Sequence, residues 1–184
     1  MNIRILTPAA LLVATGCYLS YIPVKFSGFI VRLDLPSDIA RGMLGSRFRA
    51  RCTGSGFVGT LLGWCLVPLL PQAPMAYGCL IVLGTAGACW ASGVAERELG
   101  RPDDPRIIID EVLGYWIAVA FLPHPWQALL AGFILFRIFD TVKLPLYRWM
   151  EDLPGGYGIV FDDVGAGLVT NILLRASAPW SPWW

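Results

Sequence analysis

Residues 106–121 read Arg-Ile-Ile-Ile-Asp-Glu-Val-Leu-Gly-Tyr-Trp-Ile-Ala-Val-Ala-Phe. Two adjacent acids, Asp110 and Glu111, stand between three isoleucines and a long apolar run. The pair has two readings. It can be the first turn of a helix, where the helix dipole favours carboxylates. It can equally be functional, because ionisable groups in apolar or membrane surroundings cost free energy and are kept there for chemistry. Sequence further from the pair separates the two readings.

The whole chain is apolar in the same manner. Of its 184 residues 56% are hydrophobic, and eight are Trp. The apolar share exceeds the roughly 45–50% of a soluble domain, and Trp favours membrane interfaces. Mean hydropathy is +0.61. These values predict membrane embedding. The net charge of +1 singles out no partner, and no nucleic-acid partner is expected. The five cysteines form no Cys-x-x-Cys pair, and most lie in apolar runs. They read as small core hydrophobes.

The apolar segments run over 8–22, 57–70, 75–95, 112–122, 126–139 and 159–174. Only 75–95 reaches the length of about 20 residues that a clean membrane span needs. The linkers alternate in character. Residues 25–52, 96–111 and 140–163 are charged, whereas Pro71-Gln72-Ala73-Pro74 and Pro123-His124-Pro125 carry no acid and no fixed positive charge. Two helical hairpins dipping from one side give this alternation, and the arginines of 25–52 put that side in the cytoplasm. Proline and glycine punctuate the helix ends, and no alternating strand pattern of useful length occurs. The expected fold is all-α. It is a compact, membrane-associated bundle of about six helices, several of them short or partly embedded. The first apolar run reads as a retained helix rather than a signal peptide, since no clear small-residue cleavage site follows it. Within 25–52, residues 39–48 fit either a short amphipathic helix on anionic headgroups or an ordinary basic loop.

Two further clusters resemble the first. In Gly-Phe-Ile-Leu-Phe-Arg-Ile-Phe-Asp-Thr-Val-Lys (132–143), Arg137, Asp140 and Lys143 follow at three-residue intervals. That spacing makes either a local ion-pair ladder or a carboxylate flanked by two phosphate-binding cations. In 155–167, Gly155, Gly156 and Gly158 permit a tight loop. Asp162 and Asp163 then open an apolar helix whose Gly165, Ala166 and Gly167 allow close packing. Taken together, five carboxylates and two cations gather near one membrane face. Oxygen ligands suit Mg²⁺ or Mn²⁺, and a metal with carboxylates, Arg and Lys is the equipment of phosphoryl transfer. The expected catalytic and metal-binding set is Asp110, Glu111, Asp140, Asp162 and Asp163, with Arg137 and Lys143 on the phosphate.

Absences narrow the chemistry. The single histidine, His124, lies in an uncharged loop on the far side, which argues against a phosphohistidine. No Asp-x-Asp nucleophile motif, no Cys–Arg phosphate cradle and no Asp-Gly-x-x-Ala-Arg pattern occurs. Attack by a metal-activated water remains, with an aspartyl nucleophile as the alternative.

The stretch 108–174 resembles the phosphatidylglycerophosphatase A family. Asp110, Glu111 and Gly114 match its Asp-Glu-x-x-Gly motif. Phe136, Arg137, Asp140 and Lys143 match Phe-Arg-x-x-Asp-x-x-Lys. Gly155, Gly156, Gly158, Asp162, Asp163, Ala166 and Gly167 match its glycine-rich turn, Asp pair and Ala-Gly. The resemblance implies a compact multihelical fold, dependence on Mg²⁺ and hydrolysis of phosphatidylglycerophosphate to phosphatidylglycerol and phosphate. It implies a bacterial inner-membrane location with the site facing the cytoplasm and a phospholipid substrate in the bilayer. Two departures stand out. The lysine continues as Leu144-Pro145-Leu146 rather than Pro-x-Pro. Of the family's Pro-Gly-Thr-x-Gly-Ser/Thr-Leu turn only fragments remain, in Gly56-Phe57-Val58-Gly59-Thr60-Leu61. The chain is expected to be one domain over 1–184, with 25–55 a divergent insertion. The same residues fit a phosphatase for another lipid or isoprenoid phosphate. A small transport or scaffold subunit with an intramembrane acid–base network is the reading from a different class.

Overall fold

The computed structural model describes residues 3–17, 19–20, 54–101, 104–142 and 144–180. The insertion expected over 25–55, except its last two residues, and the amphipathic stretch 39–48 lie outside them. Among the described residues every regular element is helical, as the sequence predicts. The helices are α1 (Ile3–Ala14), α2 (Ser55–Leu66), α3 (Pro74–Leu99), α4 (Ile109–Ala118), α5 (Trp126–Val142), α6 (Pro145–Arg148) and α7 (Gly156–Ser177), with 3₁₀ turns at Val67–Leu69, Trp149–Asp152 and Ala178–Trp180.

Length sorts the helices into two kinds. α3 has 26 residues and α7 has 22, which at 1.5 Å per residue is about 39 and 33 Å. Both are long and apolar enough to cross a membrane. α3 starts on Pro74, whose missing N–H costs a first turn nothing. It stops at Gly100, whose φ of 67° lets its N–H donate to the Glu96 carbonyl. α2 and α4 have 12 and 10 residues, too few to cross alone.

The sequence reading of the last apolar segment needs correction. Asp162 and Asp163 do not open a helix. α7 begins six residues earlier, at Gly156, so the pair lies in its second turn. The reason is packing. A Cβ on Gly156 would collide with the Cys89 carbonyl of α3, so glycine serves there for contact rather than for a loop. Of the three loop glycines only Gly155, at φ 60°, needs glycine's backbone freedom.

α4 is the centre. It is buried along most of its length and packs against α2, α5 and α7. Tyr115, Phe133, Phe136 and Tyr147 fill the core beside it, and the Tyr115 hydroxyl donates to the Leu129 carbonyl at 2.8 Å. Its C-terminal carbonyls would otherwise be orphaned, and α7 supplies the donors. Asn171 Nδ2 reaches the carbonyls of Ile117, Ala118 and Ala120 at 3.2, 3.0 and 3.0 Å. Arg175 Nη2 reaches those of Ala120 and Phe121 at 3.0 and 3.3 Å. At this end the two uncharged loops meet, and Gln72, Tyr77, Phe121 and His124 border a cavity of about 240 Å³.

The other end is charged. There α1 packs on α3 through Ala10, Ala14, Ala91 and Ala95. The segment entering α4 is tied down by Ile108, whose N–H donates to the Ala14 carbonyl at 2.8 Å. The Ser20 hydroxyl donates to the Arg106 carbonyl at 2.6 Å. Arg106 grips the buried Asp104 with two hydrogen bonds of 2.7 Å. Outward, α3, α5 and α7 expose Val82, Leu83, Ile134, Leu168 and Ile172, a surface suited to lipid rather than water.

Candidate active site

Three carboxylates converge where α4 meets α7. One oxygen from each of Asp110, Glu111 and Asp163 lies within 4.8 Å of the other two. Asp110 and Glu111 stand in the first turn of α4, and Asp163 in the second turn of α7. Small residues bring the two backbones together. Gly167 of α7 abuts the carbonyl of Gly114 on α4. A Cβ on Gly114 would stand 2.9 Å from the Asp163 carbonyl and 2.6 Å from the Phe136 ring. With this seam closed, acids on the two helices share one space.

The space is dry. Asp110 is 8% exposed and Asp163 3%. One oxygen of each is fully buried, as is Glu111 Oε2, which has no hydrogen-bond partner. Three crowded, desolvated carboxylates oppose one another and the fold. A divalent cation placed there would relieve that opposition, since hard oxygen donors at this separation suit Mg²⁺ or Mn²⁺. The donor set thus fits such an ion.

Beside the carboxylates lies a guanidinium. Arg137 of α5 pairs with Asp140, one turn on, through Nη1 and Oδ2 at 2.7 Å. It also lies in the field of Glu111, Asp163 and Asp110. Asp140 holds Arg137 and lies close enough to act on Glu111, but it is not one of the three acids within 4.8 Å of one another. Asp162 is buried as well, but it lies about 100° round the helix from Asp163, and its Oδ1 accepts the Asp163 N–H at 2.9 Å. Lys143 lies outside the described residues. The glycines at the start of α7 meet α3: the atom nearest a Cβ on Gly155 is Oε2 of Glu96. His124 follows the opposite end of α4, its Nε2 3.2 Å from the Val119 carbonyl.

Two neighbours complete the site, one unmarked in the sequence and one quoted there only as the remnant of a family turn. Tyr147 of α6 is buried under Gly165 and donates to the Phe139 carbonyl at 2.6 Å. Burial, with Asp140 and Asp163 adding to it against a backbone hydrogen bond, pushes its phenol up to about 12, so it stays a neutral donor. Nothing in its local sequence marks it. The second neighbour is the start of α2. Gly56 lies so close that a Cβ there would stand 2.6 Å from Glu111 Oε1 and 2.9 Å from both terminal nitrogens of Arg137. Thr60 Oγ1 is 3.4 Å from Arg137 Nη1. The spacing of Gly56, Gly59, Thr60 and Gly63 does carry a signal, since it puts four small residues on one helix face.

The family model described as Phosphatidylglycerophosphatase A matches residues 41–178. A Bacteroides thetaiotaomicron protein named "Putative phosphatidylinositol-3-phosphatase" is 36% identical over 153 residues, covering 79% of this chain and 94% of its own. The phosphatidylglycerophosphatase A of Escherichia coli is 33% identical over 124 residues, 65% of this chain and 71% of its own. That of Haemophilus influenzae is 34% identical over 135 residues, 70% and 78%. No solved structure matches. The chain belongs to the phosphatidylglycerophosphatase A family, whose members are phosphoric monoester hydrolases.

Proposed function

We propose that this protein removes the terminal phosphate of phosphatidylglycerophosphate in phospholipid synthesis, using Mg²⁺ held by Asp110, Glu111 and Asp163. The observation that carries the reading is the convergence of these three carboxylates beside Arg137 in a member of this family. The bound ion would supply Lewis-acid polarisation of the phosphoryl group and a lowered pKa for the attacking water. Arg137, anchored by Asp140, offers its remaining N–H groups to the phosphoryl oxygens. Lys143, three residues beyond Asp140, adds a second cation. One of the three carboxylates takes the proton of the attacking water and returns it to the glycerol oxygen of the lipid as its bond to phosphorus breaks. Asp162 holds the backbone N–H of Asp163 and so the attitude of that acid. The reaction belongs at the cytoplasmic face of a bacterial inner membrane, where the charged end of the fold meets lipid headgroups.

The test is phosphate release from phosphatidylglycerophosphate in mixed micelles. Chelator should abolish it and Mg²⁺ restore it. Asp110→Asn and Asp163→Asn should each lower the rate by roughly 100-fold or more. Full activity in both variants would refute the assigned site.

A second reading keeps the site and changes the lipid. It is favoured by the 36% identity to the relative named for phosphatidylinositol 3-phosphate. A substrate panel including that lipid decides between them by kcat/KM.

A further inference from the structure

The face that α2 turns to the site does more than fill space. Gly59 and Gly63 bring α2 onto the backbone of α4: Cβ atoms there would stand 3.0 Å from the Ile108 carbonyl and 3.2 Å from that of Val112. The Trp116 indole N–H donates to the Gly63 carbonyl at 3.0 Å and fixes the register. At this register Thr60 is fully buried, and its Oγ1 stands 2.9 Å from the Gly56 carbonyl. A threonine hydroxyl has one hydrogen. Here that hydrogen goes to Gly56, so toward Arg137 the oxygen can only accept. Arg137 Nη1 has two hydrogens, and Asp140 and Thr60 stand 2.7 and 3.4 Å from it. Both partners are thus on the same nitrogen. Among the described residues no hydrogen-bond acceptor engages Nη2 or Nε, which together carry three hydrogens. Gly56 lets the start of α2 lie against the guanidinium, since a Cβ there would stand 2.9 Å from both Nη1 and Nη2.

We propose that Thr60 is a positioning residue for Arg137. With Asp140 it occupies Nη1 and so presents the Nη2–Nε edge of the guanidinium to the phosphoryl group, an edge that matches two phosphoryl oxygens. Gly56 is the complementary requirement, because any side chain there displaces that edge. This inference rests on the phosphatase reading above and assigns the phosphoryl contact to one side of one residue.

Thr60→Val and Thr60→Ser separate positioning from packing. Valine keeps the shape and loses the acceptor; serine keeps the acceptor and loses a buried methyl. Thr60→Val should raise KM for the lipid and the inhibition constant of inorganic phosphate about three- to tenfold, as the loss of one long hydrogen bond to a charged group predicts. The Mg²⁺ concentration for half-maximal rate should not move. Thr60→Ser should keep wild-type KM, although it melts at a lower temperature. In an Arg137→Lys background, Thr60→Val should add nothing. A Thr60→Val variant with wild-type KM, or a Thr60→Ser variant impaired as much as Thr60→Val, would overturn the positioning role and leave the phosphatase reading intact. A wild-type protein that released phosphate from none of the lipid phosphates would overturn both.

Discussion

Asp104 shows what a well-placed acid does here, in contrast to the site carboxylates. Burial alone would raise its pKa, but the hydrogen bonds and charge of Arg106, aided by Arg101, outweigh it and hold the carboxyl below its ordinary value of 3.8. A carboxylate lowered by folding stabilises the native state above its unfolded pKa, and that contribution disappears as pH falls through the folded one. The thermal midpoint should therefore drop on acidification from pH 7 toward pH 3, and Asp104→Asn should drop less steeply. Near the site, Gly56→Ala should cost activity well beyond its effect on stability, because its methyl group meets the Glu111 carboxylate and the guanidinium of Arg137; kcat/KM set against the melting temperature checks it. Asp110, Glu111 and Asp163 could be read from sequence because charge embedded in apolar sequence is conspicuous. Tyr147 could not, and Thr60 stood out only as part of a turn remnant, without its contact to Arg137. Each gains its place from a helix that arrives from elsewhere in the chain, and a hydroxyl leaves no trace in hydropathy.

Among the elements, α4 is short yet central, and its hold on α7 at both ends explains how. At one end the glycine seam sets the distance; at the other Asn171 and Arg175 satisfy its carbonyls. Gly167→Ala should destabilise by about 1–3 kcal/mol through overpacking and weaken catalysis by parting the acids. Asn171→Ala should cost a similar 1–3 kcal/mol by stranding buried carbonyls while leaving KM near wild type. Chemical unfolding in detergent, with the activity assay, distinguishes the two. The order of the helices and the charged linkers were legible, since apolar runs and proline breaks mark them. The true start of α7 was not. Glycines at 155, 156 and 158 suggest a loop, and only the Cys89 carbonyl facing Gly156 reveals that glycine there serves interhelical contact.

Among the described residues, α3 and α7 join the end that holds the acidic cluster to the end where the two uncharged loops meet and Arg175 binds carbonyls. The apolar stretch of α7 is 56% buried within the fold and that of α3 33%, so α7 is an inner strut and α3 more an outer one. If both cross the bilayer, cysteines placed at Gln72 and Glu98 in a cysteine-free background should react with an impermeant maleimide from opposite sides of sealed vesicles. Labelling of both from one side would rule out a crossing by α3. A chain keeping only Cys65, which is exposed on α2 about 15 Å along the helix from Ser55, should stay unlabelled until detergent is added. The alternation of linker charge foretold the two ends, because water and lipid sort charge whatever the tertiary contacts.

The close approach of Asp110, Glu111 and Asp163 has a consequence for the stability of the fold. The glycine seam holds three buried carboxyl groups together beside the guanidinium of Arg137, which offsets their repulsion and desolvation only in part, so this is one place where the native state works against itself. Relieving the repulsion should make the protein sturdier and useless at once. In chelator, Asp163→Asn should melt at a higher temperature than wild type. Added Mg²⁺ should raise the wild-type midpoint by mass action and leave the variant nearly unmoved. The cation would then be as much a structural member of the protein as a participant in its chemistry.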